Sequence, residues 1–248
     1  MNQIKMGCGQ PKINMNYGSF EELLTEIKSK DFQSVFYLDF ARIDNFAKQH
    51  IYTQIIQNLA AILHIFDADQ IYPVFRFDDA VYPLRFPDFK NYMFAGEYRV
   101  IEEVENAVKT ISGKQESTLD CVLDHAIEQS EQSPNQHLIM MVLISDFCEV
   151  TSLTHSKLVK CSSFPVSFII CGSGAGSYKK FISLDVMRTR IFDNLHFVDY
   201  GKIQYQMGYY NLLSEEEKTK LTQRDFLVEF FREVPTQRKL IDELGMLQ

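Results

Sequence analysis

The chain has 248 residues, 46% of them hydrophobic and 23% charged, with a net charge of −8. That describes an ordinary globular protein rather than a disordered one, and it excludes the basic footprint of a nucleic-acid binder. No apolar stretch reaches the length of a membrane span and the N-terminus has no signal-peptide core; the five unpaired-looking cysteines (Cys8, Cys121, Cys148, Cys161, Cys171) suit reduced thiols in a cytoplasmic setting.

Residues 1–18 hold scattered glycines, one proline and no periodicity, and are expected to form an extended arm. A helix is predicted from Ser19, with Phe20, Leu23, Leu24 and Ile27 on one face. The run Val35-Phe36-Tyr37-Leu38-Asp39 reads as a strand buried on both faces. His50 to Phe66 carries apolar residues at helical spacing. Ile71 to Phe77 predicts a second strand, Asp78-Asp79 a turn, and Val81-Tyr82 a short edge strand. Pro83 and Pro87 then bracket the start of an aromatic loop, in which Phe86, Phe89, Tyr92, Met93 and Phe94 either form an exposed partner-binding patch or cover the sheet edge.

A helix from about Gly96 to Ile111 is expected to turn Tyr98, Ile101, Val104, Val108 and Ile111 inward, and another from Thr118 to Gln129 follows. The second Asp-terminated run, Leu138 to Ile144 followed by Ser145-Asp146, predicts a central strand. A short helix at Lys157–Ser162, a strand at Val166–Cys171, a helix at Phe181–Met187 and a strand at Leu195–Val198 come next. The tail, from about residue 209 to 248, is a helical extension with Phe226, Leu227, Phe230, Phe231 and Val234 on one face. Strands alternating with helices predict an α/β fold: a doubly wound, mostly parallel sheet with helices on both faces, plus the C-terminal helices.

Several segments, taken in order, carry a family resemblance. Gln70-Ile71-Tyr72-Pro73-Val74-Phe75-Arg76-Phe77, Phe164-Pro165-Val166 through Gly174, Asn194 to Tyr200, and Glu233-Val234-Pro235 with Gln237 resemble the von Willebrand factor A domain of copines. The resemblance spans about Tyr17 to Leu247 and implies a Rossmann-like domain over residues 19–248 that serves chiefly in protein–protein interaction. It also implies a metal-ion-dependent adhesion site at the strand ends: an Asp-x-Ser/Thr-x-Ser run, a loop Thr and a second Asp. Such small oxygen donors suit Mg²⁺. Here the first run reads Asp39-Phe40-Ala41-Arg42-Ile43, so both hydroxyl positions are lost; Thr118 and Asp146 match the other two ligands, and the glycine that normally follows the latter is Phe147.

The expectation is therefore a vestigial site, Asp39, Thr118 and Asp146, with no cofactor and no bound Mg²⁺. Arg42 either replaces the cation by pairing with Asp39 or Asp146 or is solvated. The Gly172 to Gly176 segment lacks a Walker lysine and the third glycine of a dinucleotide loop, and reads as a strand-exit turn. The six histidines show no ligand spacing, and Cys148 has no visible base partner. Plant relatives in this family include ubiquitin ligases with a RING domain, whose cysteine and histidine cluster has no counterpart here. The resulting expectation is not an enzyme but a protein-binding subunit or scaffold. Its partners would be proteins of a multi-subunit cytoplasmic assembly, cytoskeletal ones included, with neither nucleic acid nor a membrane among them. The alternative is a cation-dependent adhesion domain that recognises an acidic partner residue.

Overall fold

The computed structural model describes residues 20–28, 32–42, 46–84, 93–207 and 215–247. The expected N-terminal arm lies outside them. In chain order the elements are α1 (Phe20–Ile27), β1 (Phe32–Asp39), α2 (Phe46–Phe66), β2 (Ile71–Phe77), β3 (Val81–Pro83), β4 (Met93–Ala95), α3 (Glu97–Thr110), β5 (Ser117–Thr118), α4 (Leu119–Gln132), β6 (His137–Ile144), β7 (Cys148–Glu149), α5 (Thr154–Cys161), β8 (Val166–Gly172), α6 (Lys179–Asp185), β9 (Leu195–Asp199), α7 (Tyr200–Met207), α8 (Glu215–Phe231) and α9 (Val234–Glu243).

Five strands form a parallel core in the order β2-β1-β6-β8-β9. Two short antiparallel strands, β3 and β4, share the outer edge of β2. The central runs are near-continuously apolar because both faces are covered. On β1, Phe36 and Leu38 pack into the layer built with α1, α2, α3 and α8, whereas Val35 and Tyr37 pack into the layer built with α4, α5 and α6. β6 repeats the division with Ile139, Met141 and Leu143 on the first side and Met140, Val142 and Ile144 on the second. The period of two thus survives inside a sequence that shows no polar alternation.

Two expectations are corrected. Tyr98 does not turn inward: it is 81% exposed, and Val100, Ile101, Val104, Ala107 and Val108 form the buried stripe of α3. At 3.6 residues per turn Tyr98 lies about a third of a turn from Val104, so its spacing fitted the sequence pattern but not the face. Phe94 and Met93 belong to no irregular loop; they pair with Tyr72 and Pro73 as β4. The helix expected from His50 begins at Phe46, and α7, β5 and β7 carry too few periodic residues to have been read in advance.

Candidate functional site at the top of the sheet

β1 and β6 are neighbours in register from Phe32–His137 to Leu38–Leu143. The chain runs from β1 to β2 on one side and from β6 to β8 and β9 on the other, which makes the β1/β6 carboxyl ends the switch point where such sheets bind ligands. Asp39 closes β1, and Asp146 lies two residues beyond β6.

Asp39 is fully buried. Its Oδ1 accepts from the Ala41 amide at 2.8 Å, and its Oδ2 accepts from the Ser145 amide at 2.9 Å and the Ser145 hydroxyl at 2.5 Å. Burial raises the Asp39 pKa above the ordinary carboxylate range, while the Ser145 and Ser117 hydroxyls and the two amides favour the ionised form. The Ser117 hydroxyl itself falls short of a full hydrogen bond. The Tyr52 hydroxyl donates to the Asp39 carbonyl at 2.8 Å, tying α2 to the strand end.

Thr118 is the N-cap of α4, its hydroxyl accepting from the Asp120 amide at 3.2 Å. Asp146 turns the other way, toward the segment after β8. Its Oδ1 accepts from the Gly176 amide and the Tyr178 hydroxyl, both at 2.9 Å, and Tyr178 in turn accepts from the Gly174 amide at 2.7 Å. A Cβ on Gly174 would stand 2.0 Å from Asp146 Oδ1, and one on Gly176 2.6 Å from it. These two glycines let the backbone wrap the carboxylate.

Arg42 adopts a left-handed backbone (φ 50). Its amide donates to the Lys114 carbonyl at 2.8 Å, its Nε donates to the Gln115 carbonyl at 3.1 Å, and its guanidinium lies 4.1 Å from the centre of the Phe147 ring. It forms no ion pair within 4.0 Å of Asp39 or Asp146 among the described residues, so the guanidinium stacks on an aromatic ring where a carboxylate pair was one expectation. Gly113 makes this docking possible, since a Cβ there would meet the Phe40 carbonyl at 1.5 Å. Of the aromatic candidates, Phe94 is 5% exposed and packs in the core, which removes it from any partner surface. Phe86, Phe89 and Tyr92, like Ile43 and Asp44, lie outside the described residues.

Beside Asp146 opens a cleft of about 420 Å³ with Glu116, Phe147, Glu149, Lys179 and Lys180 on its walls. Cys148 also reaches it, but burial and the nearby Asp39 push its thiol pKa well up, which disfavours the thiolate a nucleophile needs. Sequence reasoning missed Tyr178 and the roles of Phe147 and the two loop glycines, because their partners are distant in the chain. The Phe that replaces a family glycine at 147 was the one available signal.

A copine family model matches residues 42–248. The chain belongs to the copine family. Copine domains of this kind are protein-interaction domains, and the doubly wound sheet is the von Willebrand factor A fold. "Copine family protein 2" of Caenorhabditis elegans is 26% identical over 82% of this chain and 2% of its own length. The "E3 ubiquitin-protein ligase RGLG2" of Arabidopsis thaliana is 25% identical over 79% of this chain and 43% of its own length, and RGLG3, also named an E3 ubiquitin-protein ligase, is 22% identical over 96% and 72%. The chain thus spans less than half the length of the first two relatives. Among solved structures, proximal thread matrix protein 1 from the mussel byssus aligns with TM-score 0.50 at 12% identity over 78% of this chain and 46% of its own, a likeness of fold alone. A von Willebrand factor type A structure from Catenulispora acidiphila aligns at 0.46, with 11% identity over 68% and 39%. The expectation that the chain is not an enzyme is corrected by the ligase names of its relatives.

Proposed function

We propose that this copine-family chain binds protein partners at the cleft beside Asp146 without a divalent cation, as a subunit or scaffold of a larger cytoplasmic assembly. The Asp39 carboxylate carries the reading: it is fully buried and its oxygens already receive three donors from Ala41 and Ser145. Mg²⁺ demands near-octahedral oxygen ligands and keeps several waters, and the residues present do not fit that demand. Ala41 offers no side-chain oxygen, Thr118 caps a helix, and Asp146 Oδ1 is held by Gly176 and Tyr178. The cleft, with lysines and glutamates around Phe147, suits a mixed polar segment of a partner protein.

Two measurements test this. Thermal melting with and without millimolar Mg²⁺ is expected to give the same Tm; a rise abolished by Asp146→Ala would support the cation-dependent alternative instead. Co-purification from the native source, compared with a Phe147→Ala, Lys180→Glu variant, is expected to lose the partner, cytoskeletal proteins being the first class to look for. A second reading is supported by the relatives' names: the domain would hold a partner for ubiquitin transfer. Reconstitution with activating and conjugating enzymes tests it, and a modified co-purified partner is the expected sign.

A further inference from the structure

Away from the sheet top, three donors from three separate elements converge beneath the C-terminal helices. His196 lies on β9, Asp185 ends α6 and Glu233 stands at the α8–α9 junction. His196 is 1% exposed, while the Asp185 and Glu233 side chains are 13% and 18% exposed. One donor atom from each lies within 4.8 Å of the others. The imidazole Nδ1 is 3.4 Å from Glu233 Oε1 and 4.0 Å from Asp185 Oδ2.

The tautomer of the ring follows from its other nitrogen. Nε2 sits 2.8 Å from the Glu229 carbonyl, and a carbonyl only accepts, so Nε2 carries the proton. In the neutral ring Nδ1 is then a bare lone pair, buried and directed toward two carboxylates. By strict hydrogen-bond geometry it has no partner, and Glu233 Oε1, at 3.4 Å, is its nearest carboxylate contact. Metal-ligating imidazoles usually have their far N–H fixed by a backbone carbonyl in this way, which sets the tautomer and aims the other nitrogen.

Charge points the same way. Three carboxylates stand around the ring, Asp185, Glu233 and Glu229, and a fourth, Asp193, pairs with Arg190, whose charge also feels Asp185 and Glu233. Two guanidiniums oppose them. Arg190 Nη2 is 2.5 Å from Asp193, and Arg232 is 3.0 Å from Glu229 and 3.8 Å from Glu233. With His196 neutral, these six groups leave two negative charges, which a proton on the ring would halve and a dication would cancel.

We propose that Asp185, His196 and Glu233 form a binding site for a divalent transition-metal ion of zinc's kind, distinct from the strand-end site of the fold. Zinc takes one nitrogen and two carboxylate oxygens at about 2.0–2.2 Å, which in tetrahedral geometry puts ligand atoms about 3.3–3.5 Å apart. The 3.4 Å separation of Nδ1 and Glu233 already matches, whereas Asp185, at 4.0 Å from Nδ1 and within 4.8 Å of Glu233, must close in by at least about half an ångström. The fourth position is left to water. Three elements would then share one ion, pinning α6 and the α8–α9 junction to the edge strand β9.

Zn²⁺ alone is the probe, titrated by calorimetry into the full chain carrying Cys8→Ser to remove a thiol that could compete. One Zn²⁺ per chain is expected. Asp185→Asn and Glu233→Gln, which keep shape and remove charge, should each weaken it about 100-fold, at or above the ~10–100-fold that second-shell changes cost. Asp124→Asn, an exposed carboxylate paired with Lys157 elsewhere, should leave it unchanged. In the unsubstituted protein, Co²⁺ should shift and broaden the His196 ring resonances before any others. No binding, unchanged affinity in both carboxylate variants, or Co²⁺ effects centred away from His196 would each overturn the site.

Discussion

Two buried carboxylates at opposite ends of β1 are handled differently, and the difference is testable. Asp39 is surrounded by donors, so its removal leaves them stranded. Asp39→Ala strips partners from two amides and a hydroxyl; at about 1–3 kcal/mol for each buried unsatisfied group, urea denaturation should show a loss of about 3 kcal/mol or more with or without Mg²⁺. Asp67, at the end of α2, accepts from the Ser34 amide at 2.7 Å and, weakly, from Gln33 Nε2 at 3.4 Å. Burial first, then the neighbouring Asp69, lifts its pKa to about 7. The folded state therefore holds a proton that the unfolded chain releases near 4, and the contribution of this group to stability is fully present below about pH 4 and lost as pH rises through 7. Asp67→Asn should accordingly gain Tm on the wild type as pH rises from 4 to 8. A difference in Tm that stays flat across that range would show that Asp67 ionises as freely in the folded chain as in the unfolded one.

At the scale of the element, the segment after β8 is held by a side chain from another strand. Asp146 grips the Gly176 amide and Tyr178, and the glycine positions leave its carboxylate the room it needs. Gly174→Ala would put a methyl where that carboxylate sits, so the carboxylate must swing out and both hydrogen bonds break. A loss of about 1–3 kcal/mol is expected, and Asp146→Ala combined with Gly174→Ala should cost less than the sum of the two single changes, since both remove the same contacts. The strands and most helices were legible because burial on two faces leaves continuous apolar runs and burial on one leaves a helical stripe. The Asp39 and Asp146 positions were legible for the same reason, as both follow such runs. What Asp146 holds was not, because it depends on residues 30 positions away. Arg42 was equally opaque: its stack on Phe147 needs β1 and β6 to be neighbours and Gly113 to admit the Phe40 carbonyl.

At the scale of the molecule, the C-terminal helices complete a core layer. Phe226, Leu227, Phe230, Phe231 and Val234 are buried to within 2% exposure and share one cluster with Leu23 and Ile27 of α1, Leu59 of α2 and Ile169 and Cys171 of β8. Phe226 and Phe230 lie 5.3 Å apart between ring centres, and Tyr200 of α7 meets Phe226 edge-on at 5.3 Å. α1 and α8 join α2 and α3 in covering this face, so neither α1 nor α8 can be removed without opening the layer. A buried Phe→Ala change costs about 3–5 kcal/mol, against a total of about 5–15 kcal/mol for a typical domain; Phe230→Ala should therefore lower the urea midpoint without changing the slope. A chain cut at residue 214 loses five such side chains together, and with them the Glu229 carbonyl that fixes His196. It should lose its sharp unfolding transition and bind a dye specific for exposed apolar surface. If that shortened chain instead unfolded cooperatively with an unchanged midpoint, α8 and α9 would be passengers on a core already complete; their five fully packed side chains argue that the layer over β1, β6 and β8 closes only when they dock.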